Sequence, residues 1–265
     1  MKRTCLAALL ATGLAFPVSA DVAIKQTTGG KGMGISGSAG GTTYIKGNKM
    51  RSDLQMGDKI QSMIFDIDAQ KMYMFDSKKK EADVWDMAAF SAEMSKSVDL
   101  SGMKASIKPN GQKKPFGALS ADGYDMEISV PAQMGGNKDM TMTMTMTGPV
   151  WIVKNAPGAA DYNRFYKAAA EKGFIFGDPR AAKGQPSQAK AMAEMYRQFA
   201  EIGGIAYEMD MQMKMGGGGA GNPLGGILAR MGNMQMTTTV TDVKTDGLSD
   251  ELFAPPAGYK LNEKK

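Results

Sequence analysis

Strict alternation between apolar and polar residues in the second half of the chain constrains the fold more than any other feature. From Met140 to Thr147 every even position is Met and every odd position is Thr. From Ile205 to Met215 the odd positions are apolar, mostly Met, and the even positions from 208 onward are Glu, Asp, Gln and Lys. Residues 234–240 repeat the pattern more weakly. Because successive side chains of a strand point to opposite faces of a sheet, each segment predicts a strand with one apolar face.

Short extended segments separated by turn residues occupy the first half of the chain. The turn residues are Gly47-Asn48, Gly57-Asp58 and Asp68-Ala69-Gln70, and their spacing is typical of tight antiparallel hairpins. A lysine run at 78–80 is interpreted as another hairpin tip, and Pro109-Asn110-Gly111 as a turn that ends a strand. The predicted strands are 22–28, 42–46, 49–54, 59–67, 71–75, 105–108 and 124–130.

Two segments show the spacing of amphipathic helices: the residues from Tyr162 to Ala169 and those from Met192 to Ile202. Each of them presents one apolar stripe. A short helix is also predicted at 86–96. A sheet with one apolar face and helices with one apolar stripe bury both surfaces when the helices cover that face. The sequence therefore predicts the α+β class, with an antiparallel sheet and helices on its apolar side.

Two glycine-rich stretches, 29–41 and 216–226, are interpreted as flexible loops. The first contains Gly32-Met33-Gly34-Ile35-Ser36-Gly37, which has the spacing of a dinucleotide-binding loop. The residues after it do not open the helix that such a site requires, so no nucleotide is expected there. Neither stretch is interpreted as a linker, and residues 21–265 are predicted to form a single domain.

Residues 1–20 have the three-part order of a secretory signal peptide. Lys2 and Arg3 precede an apolar run at 6–16, and small residues lead to Ala20, where cleavage is expected. The apolar run is shorter than the roughly 20 residues that a membrane span requires. We therefore expect a periplasmic protein whose functional chain begins at Asp21.

The functional chain lacks the side chains on which much enzyme chemistry depends. Cys5 is the single cysteine and lies in the signal peptide, and the sequence has no histidine. Disulfides, thiolate or imidazole metal sites and nucleophiles that need Cys or His are therefore excluded. Asp66 and Asp68 are interpreted as turn residues and not as a catalytic pair. We predict no enzyme, no cofactor and no metal, and a formal charge of +5 without a clustered basic face does not indicate nucleic-acid binding.

Methionine is unusually frequent, with 25 in the chain, and this frequency is informative about function. One interpretation is that these adaptable, polarizable side chains line a surface that accepts varied apolar ligands. Another is that clustered thioethers bind Cu(I). Any half-buried strand requires this alternation, and the chain has no His to complete a copper site, so the apolar lining is favoured over Cu(I) binding. A filled core without a ligand remains a third possibility. The predicted ligand contacts are Met140, Met142, Met144, Met146, Met195, Phe199, Tyr207, Met209, Met211, Met213 and Met215.

Four stretches are distinctive in their order along the chain: residues 44–51, residues 64–66 together with 71–75, residues 150–152, and the ending at 252–259 with its Phe and Pro-x-Gly-Tyr. Together they resemble an exported bacterial family with the fold of the LolA and LolB outer-membrane lipoprotein carriers. The resemblance implies a strongly curved antiparallel sheet, an incomplete barrel, whose concave face is covered by helices over a hydrophobic cavity. The carriers use an arginine to hold their lid closed, and no such role is transferred to Arg51.

The sequence thus favours a non-catalytic periplasmic protein that binds or carries a hydrophobic or lipid-like ligand in a Met-rich cavity. The expected partners are that apolar ligand and, transiently, the envelope membrane or lipoproteins. Two alternatives stay open at this point: a Cu(I)-binding envelope protein that uses Met thioethers, and a structural envelope component with a filled core.

Overall fold

A computed structural model describes residues 21–32, 35–96, 103–133, 141–216 and 234–264. The strands within these ranges are β1 (Val22–Gly32), β2 (Ile35–Lys46), β3 (Lys49–Met56), β4 (Lys59–Asp66), β5 (Lys71–Asp76), β6 (Glu81–Asp86), β7 (Lys104–Phe116), β8 (Leu119–Gln133), β9 (Thr141–Val153), β10 (Ile205–Gly216), β11 (Met234–Lys244) and β12 (Lys260–Lys264). The helices are α1 (Met87–Lys96), α2 (Ala159–Glu171), α3 (Pro179–Gly184), α4 (Pro186–Ile202) and a 3₁₀ turn at Asp250–Phe253. The predicted signal peptide lies outside the described residues.

All twelve strands of the described chain belong to one sheet, in the order β12-β6-β5-β4-β3-β2-β1-β11-β10-β9-β8-β7. Neighbouring strands are antiparallel except for β12 and β6, which are parallel. The two outermost strands, β7 and β12, do not pair with each other, so the sheet stays open. The four predicted hairpin turns of the first half all connect paired neighbours and are confirmed.

The sheet is strongly curved. Eight adjacent strands, from β4 through β1 and β11 to β8, each place at least one side chain on the same cavity of about 310 Å³. Strands lie about 4.8 Å apart, so eight strands in a flat sheet would extend over roughly 34 Å, too far for one cavity of this volume to touch them all. The predicted fold class is therefore confirmed: an α+β protein with an open, curved sheet and helices on its concave face.

Helices α2 and α4 pack against each other over the concave face. α4 also contacts β7 and β8, whereas α2 contacts β2 and β10, so the pair of helices covers two separate regions of the sheet. α1 follows β6 directly and buries Phe90 and Met94. Among the described residues, no helix is both long enough and apolar enough to cross a membrane.

The first glycine-rich stretch corrects the prediction of a flexible loop. Residues 29–32 belong to β1 and residues 35–41 to β2, with Gly29 opposite Ser38 and Gly30 opposite Gly37. β1 also pairs with β11 along the same residues. Glycine has a low strand propensity, but backbone hydrogen bonding to neighbours on both sides outweighs it here. Of the second stretch, Gly216 ends β10, and residues 217–226 lie outside the described ranges.

The predicted turn at Pro109-Asn110-Gly111 is a bulge within β7 and not the end of a strand. The pairing of β7 with β8 shifts between Pro109 and Lys113. The Asn110 side chain stabilises the bulge, since its oxygen accepts from the Gln112 N–H at 3.0 Å and its Nδ2 donates to Asp125 at 2.9 Å. Because β7 is an edge strand, Pro109 removes no ladder hydrogen bond that a second neighbour would need.

Candidate ligand-binding site

The cavity of about 310 Å³ lies between the concave face of the sheet and helices α2 and α4. This volume is within the range of small-ligand pockets, roughly 300–1,000 Å³. Its walls consist of methionines, aromatic rings, the branched aliphatic residues Ile24, Ile205 and Val240, and a few small or neutral polar residues. None of the described residues that line it is charged.

Methionine is the most frequent residue in the wall contributed by the sheet and by α4, with nine side chains. Met211 of β10 lies directly opposite Met236 of β11, and Met209 is two residues away on the same strand and also lines the cavity. Cross-strand neighbours of this kind have Cβ atoms about 4.5–5.5 Å apart, so their thioethers share one surface. The nine are Met50, Met63, Met126, Met146, Met192, Met195, Met209, Met211 and Met236.

A cluster of aromatic rings forms part of the cavity wall. Phe176 is at its centre, with ring centroids 5.2 Å from Phe65, 5.1 Å from Tyr166 and 4.8 Å from Tyr196. Tyr166 and Tyr196 stack nearly parallel across the contact between α2 and α4, and Tyr162 tilts against Tyr166 with centroids 4.6 Å apart. This ring cluster ties both helices to each other and to β4.

The cavity tyrosines are neutral. Burial raises the pKa of Tyr162, Tyr166 and Tyr196 above the usual tyrosine value. The hydroxyl of Tyr166 donates to the Met50 sulfur at 3.6 Å. These phenols therefore keep their protons at neutral pH and offer hydrogen-bond donors without charge.

Three neutral polar side chains interrupt the apolar lining. They are Gln26, Thr43 and Ser52, on the neighbouring strands β1, β2 and β3. Thr43 lies directly opposite Ser52, and Ile24 lies opposite Thr43, so these positions form one row across the floor of the cavity. Sequence patterns do not indicate this patch, because none of the three residues lies in a regularly alternating segment.

Five of the predicted contact residues line the cavity: Met146, Met195, Phe199, Met209 and Met211. Met144 is buried and Met213 half-buried in the adjoining apolar cluster, without lining the cavity. Met215 is half-buried near the end of β10. Met140 and the side chain of Met142 lie outside the described part of the chain.

Tyr207 corrects the expectation that all odd positions of its segment share one face. The pairing of β10 with β9 shifts between Ala206 and Glu208, and Tyr207 is the extra residue. Ala206 and Met209 both line the cavity, whereas Tyr207 packs edge-on against Phe116, at 5.6 Å between centroids. A bulge of this kind leaves one residue unpaired and reverses the alternation beyond it.

The remaining predicted polar features have structural roles. The backbone N–H of Ala69 donates to Asp66 at 2.9 Å, and Asn48 donates to Asp68 at 2.8 Å, so both carboxylates stabilise turns as predicted. Arg51 does not line the cavity; it donates to Asp53 at 2.8 Å and to the Leu252 carbonyl at 3.3 Å. Within the described ranges, no acidic residues are grouped as a metal site requires.

The fold and the cavity together define an open-sheet α+β protein with an uncharged internal cavity. Similar solved structures include a LolA superfamily protein from Nitrosomonas europaea, 7% identical with a TM-score of 0.31 over 90% of this chain and 91% of the other. A domain from Vibrio parahaemolyticus, provisionally named as an outer membrane lipoprotein-sorting protein, is 9% identical with a TM-score of 0.31 over 88% and 89%. A DUF1329 family protein from Desulfovibrio piger is 8% identical with a TM-score of 0.22 over 90% and 91%.

The first of these structures carries the name of the superfamily that the sequence resemblance indicates. No family model matches the chain, and no curated protein matches it.

Proposed function

We propose that this protein is a non-catalytic, exported carrier or binding protein that holds an apolar, lipid-like ligand between its curved sheet and helices α2 and α4. The observation that carries the proposal is the uncharged cavity with its methionine and aromatic walls. Each CH₂ group that moves from water into such a lining contributes about 0.8 kcal/mol. Burial of apolar surface is the main driving force that this lining offers, because none of its described residues carries a charge.

Methionine walls favour a ligand that varies in shape. The unbranched thioether side chain has three rotatable bonds and adapts to irregular guests, unlike the stiff branched side chains of Val and Ile. Nine such side chains, seven from strands on both sides of β1 and two from α4, allow the wall to repack as the length or branching of the ligand changes. We therefore propose a broad ligand range instead of a single shape-matched compound.

Among the described residues that line the cavity, no carboxylate, amine, imidazole or thiol is available for acid–base or nucleophilic chemistry. Its tyrosines hold their protons because burial raises their pKa. Export follows from the predicted signal peptide, and transient contact with the envelope membrane or with lipoproteins belongs to the same proposal. Treatment of residues 21–265 as one unit with a LolA-like fold also remains a prediction.

Binding is tested by filling the cavity. The protein without residues 1–20 is purified without detergent and titrated with N-phenyl-1-naphthylamine, whose fluorescence rises in apolar surroundings. Ala206→Phe places a ring on the cavity side of β10 and should abolish the rise in fluorescence. Gln212→Phe places the same ring on the exposed polar side of the same strand and should bind the probe like the wild type. Equal binding by both variants would contradict the proposal, and mass spectrometry of an extract identifies any lipid carried through purification.

Cu(I) is a second candidate, favoured by the juxtaposition of Met209, Met211 and Met236 on two paired strands. Thioethers are soft ligands that suit Cu(I). Substitution of all three by Leu should remove Cu(I) binding in competition with a chelator under reducing conditions, while apolar probe binding stays within a few-fold of wild type. Retained Cu(I) affinity in the triple variant would dismiss this candidate.

A further inference from the structure

We propose that Gln26, Thr43 and Ser52 form a hydrogen-bonding subsite that takes the uncharged polar head of an otherwise apolar ligand, such as an alcohol, ester or amide. This inference rests on the proposed function and specifies the chemical class of the ligand. The three side chains are the amide and hydroxyl groups that the sheet contributes to the cavity lining, and they lie close together on three neighbouring strands.

The pairing of the strands fixes their relative positions. Thr43 is directly opposite Ser52, which places their Cβ atoms about 4.5–5.5 Å apart. Gln26 is opposite Gly41, and its Cγ and Nε2 lie 3.5 and 3.6 Å from the point where a Cβ of residue 41 would stand. The Gln26 side chain therefore lies across Gly41, two residues along β2 from Thr43. The amide and the two hydroxyls therefore lie close enough together for one polar head group to contact all three.

These groups are free to bind a ligand. Of the side-chain hydrogen bonds made by described residues, none involves Gln26, Thr43 or Ser52. By contrast, the Thr28 hydroxyl on the same strand as Gln26 pairs with Thr238 at 3.0 Å. Gln26, Thr43 and Ser52 are half-buried, so their polar groups are accessible from the cavity. Three neighbouring side chains that use none of their hydrogen-bonding capacity within the described chain, on the wall of one cavity, support a ligand-binding role.

The absence of charge from the described lining determines which head group fits. A carboxylate brought into this cavity would lose its hydration and meet only neutral donors, and an ammonium group would find no anion. An alcohol, ester or amide exchanges hydrogen bonds with water for hydrogen bonds with the amide and hydroxyls. The subsite therefore selects neutral lipids over their ionised counterparts.

The test compares ligands that share an alkyl chain and differ in the head group. Dodecanol and dodecanoate each displace N-phenyl-1-naphthylamine from the wild-type protein and from the double variant Thr43→Val, Ser52→Ala. We expect dodecanol to bind the wild type at least about tenfold more tightly than dodecanoate at pH 8, and the double variant to lose about tenfold in dodecanol affinity. Affinity for the apolar probe itself should not change. Thr42→Val, on the strand position next to Thr43 and outside the lining, serves as the control and should behave like the wild type.

Each outcome separates the two proposals. If the probe binds but dodecanoate equals dodecanol, or if the double variant binds dodecanol as the wild type does, the subsite is disproved and the apolar cavity stands. If the wild type binds neither the probe nor dodecanol, the proposed function fails, and the subsite fails with it.

Discussion

Gly204, at the junction of α4 and β10, shows how closely single residues are fitted at the edge of the cavity. Its φ is +95°, and a Cβ would stand 2.8 Å from the Ile152 side chain and from the Val153 carbonyl oxygen. Gly204→Ala should therefore lower the free energy of unfolding by at least about 2 kcal/mol, measured by urea denaturation. Gly37→Ala, in β2 with open space around its Cα, is the control and should change stability by less than about 1 kcal/mol.

The tyrosines that line the cavity should make the folded protein less stable in alkali. Burial raises the pKa of Tyr162, Tyr166 and Tyr196 in the folded protein. Above the usual tyrosine pKa of about 10, the unfolded chain releases protons that the folded protein retains, so the free energy of unfolding falls as pH rises. Below that pH these groups contribute no pH dependence. In the double variant Tyr162→Phe, Tyr196→Phe, the free energy of unfolding measured by urea denaturation should fall less steeply with pH above pH 10. A fall as steep as that of the wild type would show that these tyrosines are not its cause.

At the scale of residues, the alternation in the sequence predicts which face of the sheet a methionine occupies. It does not predict where a bulge shifts a side chain to the opposite face. The alternation of Met209 and Met211 places both on the cavity as expected. Tyr207 follows the same spacing and lies on the other face, because a bulge in β10 interrupts the alternation. A bulge depends on pairing with β9, and periodicity within one strand does not reveal it.

At the scale of elements, Gln198 of α4 joins a helix to an edge strand. Its Oε1 accepts from the Ile107 N–H and its Nε2 donates to the Ala105 carbonyl, both at 2.9 Å. The side chain thus pairs with the backbone of β7 where no further strand does. Gln198→Leu should lower the free energy of unfolding by about 1–3 kcal/mol and speed amide exchange at Ile107, because that backbone N–H loses its partner.

The exposed edge gives the same substitution a second readout. Unpaired strand edges promote association between chains, so Gln198→Leu should also increase concentration-dependent dimerisation in size-exclusion chromatography. Arg197→Ala, one residue away on the same helix, removes surface ion pairs with Glu194 and Glu201 and should leave both measurements nearly unchanged. Equal effects of the two substitutions would rule out the edge contact as the cause.

Elements were predictable where the decisive interactions are local. The hairpins joining β2 to β5 have turn residues that specify them, and all three formed as predicted. β12 has no such signal: it is short and charged, and it becomes a strand because Lys260–Lys264 pairs in parallel with β6. The glycine-rich part of β1 and β2 is likewise a strand through its neighbours and against its own propensity.

At the scale of the whole molecule, ligand binding should stabilise the fold. A ligand that binds only the folded protein raises the free energy of unfolding by about 2.7 kcal/mol at a free concentration of about 100 times Kd. Dodecanol should accordingly raise the Tm of the wild type in a concentration-dependent way. The control is the cavity-filled variant Ala206→Phe, whose Tm should not change when dodecanol is added. A rise in Tm equal to that of the wild type would show that the ligand binds elsewhere.

The cavity itself is a property of the whole sheet, and this is why the sequence predicted only part of it. Residues of β3 and β4 such as Met50, Met63 and Phe65 meet residues of β10 only because the sheet curves around α2 and α4. Helical spacing indicated that Tyr162 and Tyr166 face inward, but not that they stack against Tyr196 of α4. Periodicity describes one element at a time, and curvature arises from the twist and packing of all of them.

The uncharged lining has a consequence for how the protein responds to ionic strength. A neutral ligand in a neutral cavity has no Coulomb attraction to screen, so added salt should not weaken its binding. Contacts made through the charged outer surface, which carries ion pairs such as Lys114 with Glu208, respond to the same salt. If the proposed function holds, added salt should leave ligand retention unchanged and alter contacts made through the outer surface, and a salt titration distinguishes the two.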